Sequence, residues 1–346
     1  MLTNETCKET VNPRIEYIDC LRGFAMFLVV FTHVLGYCFD LKEVVFPLRI
    51  PGAFHSYLFF FISGLLTPLM VHTRSFVNRF RFILLPTLVM FALYGCFLSI
   101  CNNQSLLSYF VQGLQSEWKS GYWFPFVLFL IVSIHCVLSF LFSLLKTSSD
   151  SWMVLLLSGG WLLLITLKNW DWFHNEAFLC QWFSLRLLVN YLPIYILGVI
   201  GKHWWILFNR FVVNYWVMTC CLICFLILFY LFRNGGYYFG LLISGLGSVG
   251  VYALFAVHSR AFSTNNKIGR MISFVGEKTL PIYLLHYFFL FVINFPTYGV
   301  RITENGQWIL LTFISIGIAI LIVGLCLVVN SLLEKIAPIH RIMLGK

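Results

Sequence analysis

The segment Tyr17-Ile18-Asp19-Cys20-Leu21-Arg22-Gly23 runs into Phe24-Ala25-Met26-Phe27-Leu28-Val29-Val30-Phe31-Thr32-His33, a stretch that is apolar except for an acid, a guanidinium and an imidazole. Arg22 and His33 are eleven residues apart. On an α-helix that is about three turns, which leaves the two side chains within roughly 20° of one face and about 16 Å apart along the axis. Asp19 lies three residues before Arg22, a spacing at which the two can pair. One stripe of one helix therefore presents a carboxylate and a guanidinium near its start. Deep inside, it presents an imidazole that titrates near neutrality and can serve as a base.

The surroundings make this costly. Hydrophobic residues are 60% of the 346-residue chain and charged residues 10%, with a mean hydropathy of +0.88, whereas soluble domains carry about 25% charged residues. The composition predicts an all-α membrane protein, a bundle of about ten transmembrane helices. Ionisable groups inside a membrane are expensive and mark functional sites; the plainer reading of His33 is a hydrogen bond to a neighbouring helix. Apolar runs place spans at 19–39, 52–71, 82–101, 123–145, 152–168, 186–201, 211–232, 238–258, 279–298 and 308–332. Segment 102–121 reads as a surface loop or interfacial helix, and 169–184, with His174, as an aromatic loop at the headgroups. With the N-terminus inside, fifteen of the 23 Lys and Arg lie on the cytoplasmic side and seven outside, Arg22 being within the first span. That bias puts both termini in the cytoplasm, with 1–18 and 333–346 as cytoplasmic ends around a membrane domain at 19–332. The net charge of +10 is thus read as a topology signal and not as nucleic-acid binding. The polar N-terminus has no apolar signal-peptide core, so the first span is expected to direct its own insertion.

Other stretches bear on chemistry. Phe59-Phe60-Phe61-Ile62-Ser63-Gly64 ends in a small pair that lets helices approach closely; nothing local activates Ser63 as a nucleophile. Arg74, Arg79 and Arg81 precede Pro86 on the expected cytoplasmic side. They suit anionic headgroups or a phosphate ligand, which arginine binds bidentately. Tyr122-Trp123-Phe124-Pro125 is an aromatic entry to a span. Tyr283 and His286 sit in Thr279-Leu280-Pro281-Ile282-Tyr283-Leu284-Leu285-His286, which brings a second imidazole into the membrane. Cys220-Cys221-x-x-Cys224 lies in mid-span without polar company and reads as small packing residues; no metal site is expected.

Taken together, Asp19-x-x-Arg22-Gly23, Arg22-x10-His33, the Phe-Phe-x-x-Ser-Gly element, the Arg79-Phe80-Arg81 approach to Pro86 and the segment 274–286 resemble the acyltransferase 3 family of integral membrane O-acyltransferases. Thr279 stands where that family commonly has Ser, and Pro281 is a departure. The resemblance implies transfer of an acyl group, most often acetyl from acetyl-CoA, to a hydroxyl of a cell-envelope glycan or lipid-linked acceptor. The protein would be multi-pass in a bacterial inner membrane, with no fused extracytoplasmic domain. It implies His33 as base, with Asp19 and Arg22 in the catalytic motif, Arg74, Arg79 and Arg81 at the donor, and His286, Tyr283, Ser63 and Trp123 as supporting or acceptor-site residues. Direct transfer and an acyl-histidine intermediate are both open. The rival class is a multi-span transporter or flippase, for which intramembrane His and Arg would also serve.

Overall fold

In the computed structural model, residues 15–41, 46–71, 73–144, 150–168, 178–232, 235–293 and 295–345 are described. The expected N-terminal segment up to residue 14, His72 and His174 lie outside them. The described residues are 85% helical and contain no strand.

The principal helices in chain order are α1 (Glu16–His33), α2 (His55–Leu65), α3 (Phe76–Asn102), α4 (Leu106–Gln115), α5 (Trp123–Leu144), α6 (Asp150–Lys168), α7 (Leu185–His203), α8 (Tyr215–Phe232) and α9 (Tyr237–Val257). After them come α10 (Lys267–Glu277), α11 (Thr279–Val292), α12 (Pro296–Glu304), α13 (Trp308–Glu334) and α14 (Ala337–Leu344). Helix α1 is the axis of the bundle. It packs against α10, α2, α13 and α11 and buries Leu21, Ala25, Met26 and Val30 completely. Glu16 and Asp19 in its first turn complement the positive end of the helix dipole. Beyond His33 the backbone loosens into a π turn, Val34–Cys38.

Seven helices among the described residues are long and apolar enough to cross a membrane, or eight if α11 and α12, bent by 83°, form one span. Two of the ten expected spans differ in form. The stretch 52–71 holds only the eleven-residue α2. That is about 16 Å long, roughly half an apolar bilayer core of about 30 Å. Its end has a local cause: Thr67 precedes Pro68, which disfavours helical backbone at Thr67, and the Thr67 hydroxyl turns back to the Ser63 carbonyl at 2.7 Å. The stretch 152–168 is helical throughout, within α6. The stretch 279–298 breaks ahead of Pro296, which starts α12. Within 102–121, Leu106–Gln115 is a helix whose N-terminus is capped by the Ser105 hydroxyl.

Two crossings set the spacing of the core. A methyl group added at Gly23 would overlap the Ile272 carbonyl, and one at Gly276 would overlap the Asp19 carbonyl, so α1 and α10 touch backbone to backbone. Gly64 meets the Tyr195 carbonyl and Gly198 the Phe61 carbonyl, which joins α2 to α7 in the same way. The small-pair expectation therefore holds for Gly64. At the C-terminal end, α14 folds back onto α3 and buries His340 and Leu344. There Lys278 pairs with Glu334, Asn330 Nδ2 donates to Glu334 at 3.0 Å, and His340 Nε2 meets Asn330 Oδ1 at 3.1 Å.

Gly276→Leu is expected to destabilise the protein by at least about 1–3 kcal/mol through overpacking at the α1–α10 crossing. Gly317→Ala, where an added methyl meets nothing within 4 Å, should leave the thermal unfolding midpoint in detergent near wild type.

Candidate active site

A cavity of about 380 Å³ runs between α1, α2, the start of α3, the start of α5 and α11. Its α1 wall is the predicted stripe: Arg22, Met26, Val29 and His33 all line it. Ser63, Arg79, Trp123 and Tyr283 line it as well. Six of the residues singled out from the sequence thus share one space, although they come from widely separated parts of the chain.

One end is built on guanidinium groups. Arg22 donates to the Thr279 hydroxyl at 3.1 Å and lies 3.5 Å from Asp19. The hydroxyl at 279, where the sequence departs from the commoner Ser, is therefore the link between the N-terminal and C-terminal motifs. Pro281 stays inside the first turn of α11 without breaking it, as proline can in that position. Arg79 donates to Thr67 Oγ1 at 3.0 Å, and Thr67 is in turn bonded to the end of α2. The local break of α2 thereby becomes the holder of Arg79. A second π turn, Phe80–Leu84, follows directly. Arg74 and Arg81 are exposed and line none of the cavity; Arg81 lies over the Phe82 ring, 5.6 Å from its centre.

The other end is built on imidazoles. His33 Nδ1 lies 2.8 Å from His286 Nε2, and the rings are nearly parallel with centres 5.1 Å apart. His286 Nδ1 faces the carbonyls of Tyr283 at 2.6 Å and Ile282 at 3.2 Å. Carbonyls only accept, so the His286 proton is on Nδ1 and its Nε2 carries a lone pair. His33 must then donate from Nδ1, which leaves His33 Nε2 as the basic nitrogen. The described residues give that nitrogen no partner.

His286 is held from behind. The Tyr283 hydroxyl donates to the Gly121 carbonyl at 2.6 Å, and the Tyr122 hydroxyl to the Leu284 carbonyl at 3.0 Å. Gly121 has φ +99°, and the Tyr287 ring occupies the place of a side chain there, so only glycine fits. The loop that presents Gly121 is pinned by Lys119, whose buried ammonium donates to the carbonyls of Leu114 and Gln181 at 2.7 Å and of Ser116 at 2.9 Å.

His55 and Glu277 also line the cavity and are not among the residues singled out from the sequence. A signal for His55 exists: His55, Phe59, Ile62, Ser63 and Leu66 form one helical stripe of about 100°. The Cys220-Cys221-x-x-Cys224 stretch lies on α8, with Cys221 against Gly250 of α9. Among the described residues no group of three or more His, Cys, Asp or Glu is placed to hold a metal ion.

A family model described as an acyltransferase domain matches residues 15–327, nearly the whole chain. The chain belongs to the acyltransferase 3 family. Membership implies an acyltransferase, and the apolar helices imply a multi-pass membrane protein. No curated protein and no solved structure matches it. Every cavity residue from Arg22 to Tyr283 falls within the matched span.

His286→Ala is expected to lower acyl-transfer rate at least about tenfold by releasing the tautomer of His33 and to shift the pH profile of kcat. His286→Gln, whose side-chain oxygen can accept from His33 Nδ1, should retain more activity and keep the profile closer to wild type.

Proposed function

We propose that the protein moves an acyl group, most simply acetyl, from acyl-CoA on the cytoplasmic side to a hydroxyl of a cell-envelope glycan or lipid-linked acceptor in a bacterial inner membrane. The observation that carries this reading is the cavity itself, with Arg22 and Arg79 at one end and His33 Nε2 at the other. An excess of Lys and Arg in the intervening loops orients the arginine end and both termini toward the cytoplasm.

A cavity of about 380 Å³ is at the small end of ligand pockets, about 300–1,000 Å³. It suits the acyl thioester and the thin pantetheine arm, with the nucleotide left outside the arginine mouth. Arg22 and Arg79 hold the donor at that mouth. Arg74 and Arg81, which are exposed, meet the phosphates beyond it, which guanidinium groups bind bidentately. Asp19 keeps Arg22 in place.

At the far end His33 Nε2 accepts the proton of the acceptor hydroxyl as its oxygen attacks the thioester carbonyl. The tetrahedral oxyanion collapses, the C–S bond breaks, and the departing thiolate takes the proton back from His33. His286 supplies the fixed acceptor for His33 Nδ1–H throughout. Holding both substrates in one enclosed space removes much of the entropic cost of the encounter.

In matched membranes supplied with radiolabelled acetyl-CoA, His33→Ala is expected to reduce label in the glycan fraction by about 10²–10⁴-fold, the usual contribution of a general base. Full transfer by that variant would exclude His33 as base. Arg79→Ala is expected to raise KM for acetyl-CoA about tenfold or more, the scale of a hydrogen bond to a charged group. An unchanged KM would remove Arg79 from the donor site. Transport of an unmodified glycan by wild type, with no label incorporated, would favour a carrier instead.

A further inference from the structure

The mechanism above uses one basic nitrogen, yet the cavity offers a second. His55 is the first residue of α2 and lines the cavity with His33. Ser63, eight residues later, stands beside the Thr67–Arg79 contact at the arginine end. Eight residues of helix are about 12 Å, so His55 belongs to the histidine end. His55 Nδ1 lies 2.8 Å from the Pro51 carbonyl. The carbonyl can only accept, so Nδ1 carries the proton and Nε2 a lone pair. His55 is 8% exposed. Its Nε2 has no partner among the described residues and is not one of their sealed, unsatisfied polar atoms, and the residue lines the cavity.

Two unprotonated imidazole nitrogens therefore belong to one small space, one on its α1 wall and one on its α2 wall. Each asks for a hydrogen-bond donor. The thioester group itself brings none, the pantetheine amides lie back along the arm toward the arginine mouth, and a simple alcohol brings one. We propose that His55 is an acceptor-binding residue: its Nε2 takes a hydrogen bond from a second O–H or N–H of the acceptor while His33 Nε2 takes the reacting hydroxyl. This rests on the acyl-transfer reading and deepens it. The site then selects acceptors with two neighbouring donors over acceptors with one, because an acceptor lacking the second leaves a desolvated imidazole nitrogen unpaired. His55 forms no covalent bond and keeps no proton. His33 differs in having His286 behind it, whereas His55 is tied only to a carbonyl, which fixes its ring.

The test uses the full-length protein in detergent, labelled acetyl-CoA, and two probes, cis-1,2-cyclohexanediol and cyclohexanol. Wild type is expected to acetylate the diol about tenfold more efficiently by kcat/KM. His55→Leu should bring that ratio toward one, chiefly through KM for the diol, with the KM for acetyl-CoA little moved. His55→Gln, whose side-chain oxygen can accept a hydrogen bond but cannot act as a base, should restore the preference. Equal efficiencies in wild type, or a preference that survives His55→Leu, overturn the proposal. So does a His55→Gln protein that is monodisperse yet as inactive as His33→Ala, since His55 would then be a base. Transfer to the protein's own membrane acceptors is measured in parallel and reports the acyl-transfer reading separately. Label there without diol preference sinks only the role of His55.

Discussion

A buried helix that carries an arginine and a histidine must find partners for both, because unpaired polar and charged groups in apolar surroundings cost several kcal/mol. In this protein both partners come from one short stretch of α11. Thr279 takes Arg22, and His286, about two turns later, takes His33. The register of α1 against α10 and α11 is thereby set at two points. A slip of one helical turn, about 5.4 Å, would strand both groups at once. The backbone contact at Gly23 and Gly276 lies between α1 and α10 at the arginine end and makes that register sterically attainable.

The cavity follows from the same register. With α1 held against α11, its Arg22–His33 stripe faces across to α2 rather than into the packed core. Helix α2 stays short because Thr67-Pro68 ends it, and the Thr67 hydroxyl at that end is the group that engages Arg79. The backbone irregularities cluster here. The two π turns begin directly after His33 and after Arg79, in keeping with the tendency of such turns to occur at functional sites.

Aromatic packing closes the back of the histidine end. The Tyr287 ring lies 4.2 Å from His286 and 5.3 Å from His33 between centres. Tyr94 and Tyr122 pack on Tyr287 in turn. The Tyr122 and Tyr283 hydroxyls are spent on backbone carbonyls. The buried Lys119 stabilises the loop on which this depends, its ammonium held by three carbonyls in place of the water it has lost.

Much of the site was legible from residue type and spacing. Arg22 and His33 share a face because a helix repeats every 3.6 residues, and composition alone demands a helical membrane protein. Gly64 could be read as a close approach because only a small residue permits one. Less was legible where the answer depends on the chain's distant parts. Ten apolar runs do not make ten unbroken helices: Thr67-Pro68 and the break before Pro296 end helices that hydropathy would continue. Arg79 enters the cavity while Arg74 and Arg81 stay on the surface, a distinction of helix rotation and π-turn geometry that the basic cluster does not encode. His286 becomes the partner of His33 across 253 residues of sequence. His55 gains meaning only once α2 faces α1. Periodicity is local, so the sequence by itself determined which residues share a helix face and that their charges needed partners. Packing joins residues far apart in the chain, so only the tertiary structure decided which partners they have and which nitrogen of each histidine is left to meet a substrate.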